Sequence, residues 1–174
     1  MKMRNLRLCM LALLMSPSLF AQTTQLIYVN PNTGNDSQDG SQDHPLRSLP
    51  AASRLVNASE GENPITILLA SGVYALMEPS TFHPTKRTFT KQARLTIRAE
   101  VLPDDPNWNS GSMPTLIHTM PLSDDWMGQK DPFGGGMYGF KVETSHMTIQ
   151  GLKIMGAPVI EHPQKGKIIR VYPI

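Results

Sequence analysis

Cysteine, aromatic residues and charge are all scarce in this chain. The single cysteine, Cys9, falls within the first ten residues. The body of the protein therefore has no disulfide, no thiol nucleophile and no cysteine-based metal site. Aromatics make up 6% and charged residues 17% of the 174 residues, against 40% hydrophobic, which excludes a wholly disordered chain. The formal charge of +2 misleads, because Lys2, Arg4 and Arg7 crowd the first seven residues; without them fourteen acids face thirteen bases. No basic footprint for nucleic acid remains. The apolar run Leu8 to Met15 is too short to span a bilayer and no comparable run follows, so no transmembrane helix is expected in the mature chain.

What the N-terminus does hold is ordered. Lys2, Arg4 and Arg7 precede the run Leu8 to Met15, Ser16-Pro17 breaks it, and Leu19-Phe20-Ala21 ends on a small residue before Gln22. That is the order of a secretory signal peptide over residues 1–21, and it predicts a secreted, periplasmic or cell-surface protein. A buried N-terminal helix fits the charged lead and the break less well. Cys9 lies ahead of the apolar run without a small-residue lead-in, so it reads as filler in a segment that is removed.

The fifteen prolines favour a loop-rich fold over a helical bundle. Leu26 to Val29 is a short β-rich run stopped by Pro31-Asn32-Thr33-Gly34, and Asn35 to Ser41 is a polar loop. Ser48 can cap a helix with Pro50 in its first turn; Leu49, Ala52, Leu55 and Val56 share one face, and Gly61 supplies a stop. Strands are then predicted around Ile65, Ile67 and Leu69, at Val73-Tyr74 after the Ser71-Gly72 turn, at Leu95 and Ile97, over Thr115 to Met120, at Phe140 and Val142, over Met147 to Ile154, and over Ile168 to Tyr172. Strand centres Ile67, Ile97, Ile117 and Val142 lie 30, 20 and 25 residues apart. That loose period suits the stacked coils of a solenoid, and a β-sandwich is the competing arrangement.

The order Tyr28 to Asp36, Asp39-Gly40-Ser41, Pro45 to Leu49 with its helix, Thr66 to Tyr74, Leu95 to Glu100 and Val142 to Gly156 resembles the N-terminal part of secreted proteins of the pectate-lyase-like superfamily. The resemblance implies an all-β, right-handed parallel β-helix whose first strand and helix cap the coil stack. It divides the chain into a signal peptide (1–21), a strand, polar loop and capping helix (22–62), and the first coils (63–174). Family members usually carry more coils and a C-terminal cap, so the chain reads as a truncated front portion, with the family's middle-coil catalytic residues missing. The superfamily includes lyases, hydrolases, epimerases and adhesins, so the resemblance implies a polysaccharide partner without naming a reaction. Polysaccharide lyase or glycosidase action on acidic glycans is one expectation. A non-catalytic glycan-binding or cell-envelope module is another, and an inactive product is a third.

Several patterns compete for a chemical role. Gly134, Gly136 and Gly139 count as G-x-G-x-x-G, but Asp131-Pro132 precedes them and a strand-like run follows, so no nucleotide is expected. Asp36 and Asp39 sit in a loop that could take calcium, although the position of a closing Glu is held by Arg47 and Asx-turns explain the acids equally. His44, His83, His118, His146 and His162 lack zinc spacing. Asp104-Asp105 and Asp124-Asp125 are adjacent acids, which point to opposite faces of a strand and cannot by themselves flank one glycosidic bond. Arg98, Lys141 and Lys153 could line an outer groove for a lyase, or merely solubilise a sheet. Trp108 and Trp126, in polar loops, are the expected sugar-stacking residues, with plugging of their own loops the plainer reading.

Overall fold

The computed structural model describes residues 23–119, 139–155, 160–161 and 168–169. The expected signal peptide (residues 1–21), Asp124-Asp125, Trp126, Gly134, Gly136 and His162 lie outside them. The chain runs β1 (Gln25–Val29), α1 (Leu49–Ala58), β2 (Ile65–Leu69), β3 (Val73–Leu76), β4 (Ser80–Phe82), β5 (Leu95–Ala99), β6 (Thr115–His118), β7 (Phe140–Val142), β8 (Met147–Gln150), β9 (Lys153–Met155), β10 (Ile160–Glu161) and β11 (Ile168–Ile169). Strands β1-β2-β5-β8 form one parallel sheet, β3-β6-β9 a second and β4-β7 a third, while β10 and β11 pair antiparallel.

Alternation decides what each strand buries. In the first sheet Ile27, Ile67, Ile97 and Ile149 are register partners, and so are Ile65 and Leu95. Ile65, Ile67, Leu69, Leu95, Ile97 and Ala99 face the core. Tyr74 and Leu76 of β3, Phe82 of β4 and Leu116 of β6 enter it from the other two sheets. Each fully buried aliphatic or aromatic side chain contributes about 1.5–3 kcal/mol. The turn between β2 and β3 needs its glycine: Gly72 has φ +143°, and a Cβ there would lie 2.7 Å from the Pro31 ring.

The helix follows its sequence signals closely. Ser48 Oγ accepts the Ala51 N–H, Pro50 occupies the first turn, and Leu49, Ala52 and Val56 are buried with Leu55 packed beside them. It ends at Ala58, three residues before Gly61, because the Ser59 N–H and hydroxyl both donate to the Val56 carbonyl. Its main packing partner is β4, a three-residue strand that alternation is too short to announce. Among the described residues no helix is long and apolar enough to cross a membrane.

The expected class, an all-β right-handed parallel β-helix, is corrected by this architecture. α1 places Leu49, Ala52 and Val56 in the same core as the strands, so the described molecule is parallel sheets with one helix. The three parallel sheets hold four, three and two short strands, and β10–β11 runs antiparallel. A regular parallel β-helix is therefore not shown by the described residues. Unequal connections are the physical reason. The chain spends residues 83–94 between β4 and β5 and residues 100–114 between β5 and β6, whereas β2 and β3 are joined by three residues.

Candidate functional site

The loop after β1 folds back along it. Tyr28 N–H donates to the Gly40 carbonyl (2.8 Å), Leu46 N–H to the Tyr28 carbonyl (2.9 Å), and Asn30 N–H to the Leu46 carbonyl (2.8 Å). These bonds hold Tyr28 on the outer face of the sheet, half-buried, while its neighbours Ile27 and Val29 point into the core. The Asn30 side-chain oxygen accepts the N–H groups of Asn32 and Thr33 (2.9 and 3.1 Å), an Asx-turn that sets the loop's direction. At the end of β5, Glu100 N–H donates to the Leu69 carbonyl (2.9 Å), which anchors Glu100 beside β2. A depression of about 380 Å³ results, lined by Tyr28, Asn30, Thr33, Gln42, Asp43 and Glu100 among others.

An aromatic ring, two carboxamides, a hydroxyl and two carboxylates suit a polyhydroxylated ligand. The ring offers an apolar face to C–H groups, while the amides and acids exchange hydrogen bonds with hydroxyls. No Lys or Arg lines this depression among the described residues, so it is an acidic site. Glu100 also acts on the wall beneath it. The Tyr74 hydroxyl, which donates towards the carbonyls of Val29 and Ala70 (2.9 Å each), has its pKa pushed far above the usual phenol range by burial and then by the Glu100 charge.

A larger groove of about 490 Å³ lies between the start of α1 and β3, and it holds Asp36, Arg47 and Glu78. Its acids are already engaged. Asp36 Oδ1 accepts the N–H groups of Arg47 and Ser48 (both 2.8 Å) and Oδ2 accepts the Ser48 hydroxyl (2.7 Å). Glu78 pairs with Arg54 at 2.7 Å. The acid-lined depression is the better candidate because more of its polar groups are uncommitted.

The residues expected from sequence fall elsewhere. Asp36 fastens the loop to the helix start. Asp39 Oδ1 accepts the Ser41 N–H (2.9 Å), and that bond holds its carboxyl below the usual carboxylate range. Among the described residues no three His, Cys, Asp or Glu side chains gather as a metal site. Trp108 is half-buried, with its indole N–H hidden from solvent and unpartnered, so its nitrogen edge is not presented to a ligand. Trp126 lies outside the described residues.

The three basic residues are separated rather than gathered. Arg98 is on β5, Lys141 on β7 and Lys153 on β9, in three different sheets, so they form no common groove. Lys141 instead pairs with Glu143 (3.0 Å), whose other oxygen lies 3.2 Å from His83 Nδ1; the ammonium holds the Glu143 carboxyl low. His146, at φ +55°, places Nδ1 3.0 Å from the Phe89 carbonyl and so ties a loop. Asp105 accepts the Asn107 N–H in a turn. Tyr28, Asp43 and Glu100 were not legible as a site in the sequence. The one available signal was Tyr28 at an outward position beside a polar loop.

No protein-family model matches the chain, and no curated protein sequence does. Two solved chains are similar to it, both of a GH136 lacto-N-biosidase from Eubacterium ramulus. The native crystal structure is 17% identical over 77% of this chain and 21% of its own, with a TM-score of 0.39. The selenomethionine derivative is 20% identical over 84% of this chain and 23% of its own, with a TM-score of 0.43. The chain spans under a quarter of the length of either.

Proposed function

We propose that this is an exported glycan-binding protein that engages a neutral oligosaccharide through the Tyr28 depression. One observation carries the reading: a half-buried aromatic ring is rimmed by amides and two carboxylates, with no cation lining the same depression among the described residues. Asp43 and Glu100 would repel a uronate or sulfate at that spot, so the expectation of acidic glycans gives way there to neutral ones. Among the described residues Arg98, Lys141 and Lys153 stand on three different sheets, which gives no support to the cationic groove that uronate elimination would need. Export rests on residues 1–21, and N-terminal sequencing of the mature protein should begin at Gln22.

The test is titration calorimetry of the purified protein against neutral and uronate-containing oligosaccharides. Binding of a neutral oligosaccharide is expected, weakened about tenfold by Tyr28→Ala, the loss of one stacked ring. Equal binding by Tyr28→Ala, or a preference for the uronate series that Tyr28→Ala removes, would overturn the reading. A second reading, glycoside hydrolysis, is favoured by two carboxylates sharing one depression, since such chemistry needs a flanking pair. It requires release of reducing sugar that is lost in both Asp43→Asn and Glu100→Gln.

A further inference from the structure

We propose that the cavity beside Arg87 is an oxyanion-binding site, separate from the Tyr28 depression and independent of the glycan reading. Arg87 lies in the segment between β4 and β5 and is only 8% exposed. One terminal nitrogen donates to the Ser59 hydroxyl (3.2 Å) and the other to the Asn63 carbonyl. The guanidinium carbon sits 4.6 Å from the centre of the buried Phe89 ring. These partners are neutral. The Nε–H is buried with no partner at all, and among the described residues no carboxylate forms an ion pair with Arg87.

Burial lowers the affinity of this guanidinium for its proton, yet arginine stays cationic at neutral pH. A cation so covered is costly unless a counter-charge completes it. A cavity of about 630 Å³ adjoins it, lined also by Thr85, Lys86, Thr88, Thr90 and Glu62. Thr85 and Thr88 are exposed and bring hydroxyl donors. Thr90 Oγ1 accepts the Ala93 N–H (3.0 Å), which leaves its own proton free to donate. Lys86 is neutralised by Glu60 at 2.7 Å in a solvent-exposed pair, so Arg87 supplies the uncompensated charge.

Glu62 is the one acid on the wall, and it is exposed and forms no ion pair with Arg87. Arginine and threonine side chains lining one cavity are the chemistry that recognises a carboxylate, sulfate or phosphate group. That group can be a free ion or a substituent on a larger ligand, and the segment 83–94 would hold either.

The experiment follows the Arg87 Nε–Hε resonance of the purified protein by NMR while sodium sulfate replaces sodium chloride at constant ionic strength. A saturable shift with sulfate and none with chloride is expected. R87Q removes the resonance itself and so assigns it. Because that variant also loses its bonds to Ser59 and Asn63, E62Q is the decisive companion. Removing the repelling acid should tighten sulfate about three- to fivefold, and T88A should loosen it. A shift that is linear and shared with chloride, or an E62Q affinity equal to wild type, overturns the site. A uronate trisaccharide that binds more tightly than both its monosaccharide and sulfate would assign the group to a glycan. Equal affinities would assign it to the free ion. Both results uphold the oxyanion chemistry.

Discussion

Ile27, Ile67, Ile97 and Ile149 stand in one register column across β1, β2, β5 and β8, yet the first three are 2%, 0% and 0% exposed and the last is 38%. β1 and β8 are both edge strands, so position in the sheet does not separate them. Cover does. On the β1 side the loop from Asn30 to Leu46 bonds to the strand's outer edge, and Leu46 and Leu55 approach Ile27. The fit is close enough that a Cβ on Gly40, whose φ is +77°, would meet Ile27 Cγ2 at 3.0 Å. On the other side the same loss recurs in all three sheets. Phe82 is buried while its partner Val142 is exposed, and Leu116 is buried while its partner Ile154 is only partly so. Alternation sets which way a side chain points, and neighbours above and below set how much water it loses.

The largest effect expected from this contrast is at the centre of the column. Ile67→Ala should destabilise by about 2–5 kcal/mol, the transfer loss plus an unfilled cavity between Ile27 and Ile97. Urea denaturation checks it, and a cost below about 1 kcal/mol would mean that the covered end collapses freely around the gap.

A smaller effect is expected where the loop is fastened. Asp36→Ala removes the acceptor of three hydrogen bonds at the start of α1 and should cost about 1–2 kcal/mol, more than the roughly 1 kcal/mol of Ser48→Ala. The two costs should not add, since Ser48 donates to Asp36 and caps the helix at once. Full additivity would show the loop and the helix to be secured separately.

Tyr74 extends the comparison to alkaline pH. Its buried hydroxyl bonds to Val29 and Ala70 at the covered end, and burial raises its pKa in the folded state. Above about pH 10 the unfolded chain releases the phenol proton while the folded one keeps it, so stability is full below that pH and falls as pH rises. Tyr74→Phe should cost about 1 kcal/mol at neutral pH and flatten this alkaline decline. An unchanged decline in the variant would place the responsible group elsewhere.

The difference between the ends also explains what could be read in advance. The face Leu49, Ala52, Leu55 and Val56 and the alternation Ile65, Ile67, Leu69 are local periodicities, and both appear in the structure as the sequence predicts. β4 was not legible, because three residues carry too little alternation and its burial comes from α1, which lies more than twenty residues earlier. Nor was the candidate site. Tyr28 and Glu100 are brought to one depression by the register of β1, β2 and β5, which no spacing along the chain announces. For Trp108 the fold adds what no pattern announces: its indole N–H is hidden and unpartnered while the residue stays half-buried. The regular β-helix was misjudged for a related reason: the connections 70–72, 83–94 and 100–114 are too unequal to show a regular coil.

The smallest effect should come from the exposed end of the same column. Ile149→Ala removes a side chain whose pattern matches Ile67 and Ile97 but which still meets water, so about 1 kcal/mol or less is expected. The two substitutions, read in the same urea experiment, hold residue type and register column constant, Ile67 standing on an inner strand and Ile149 on an edge strand. A cost at Ile149 equal to that at Ile67 would mean that the isoleucine is shielded in solution by a surface that packs onto β8. The contrast between the two ends would then belong to the isolated chain rather than to the protein at work.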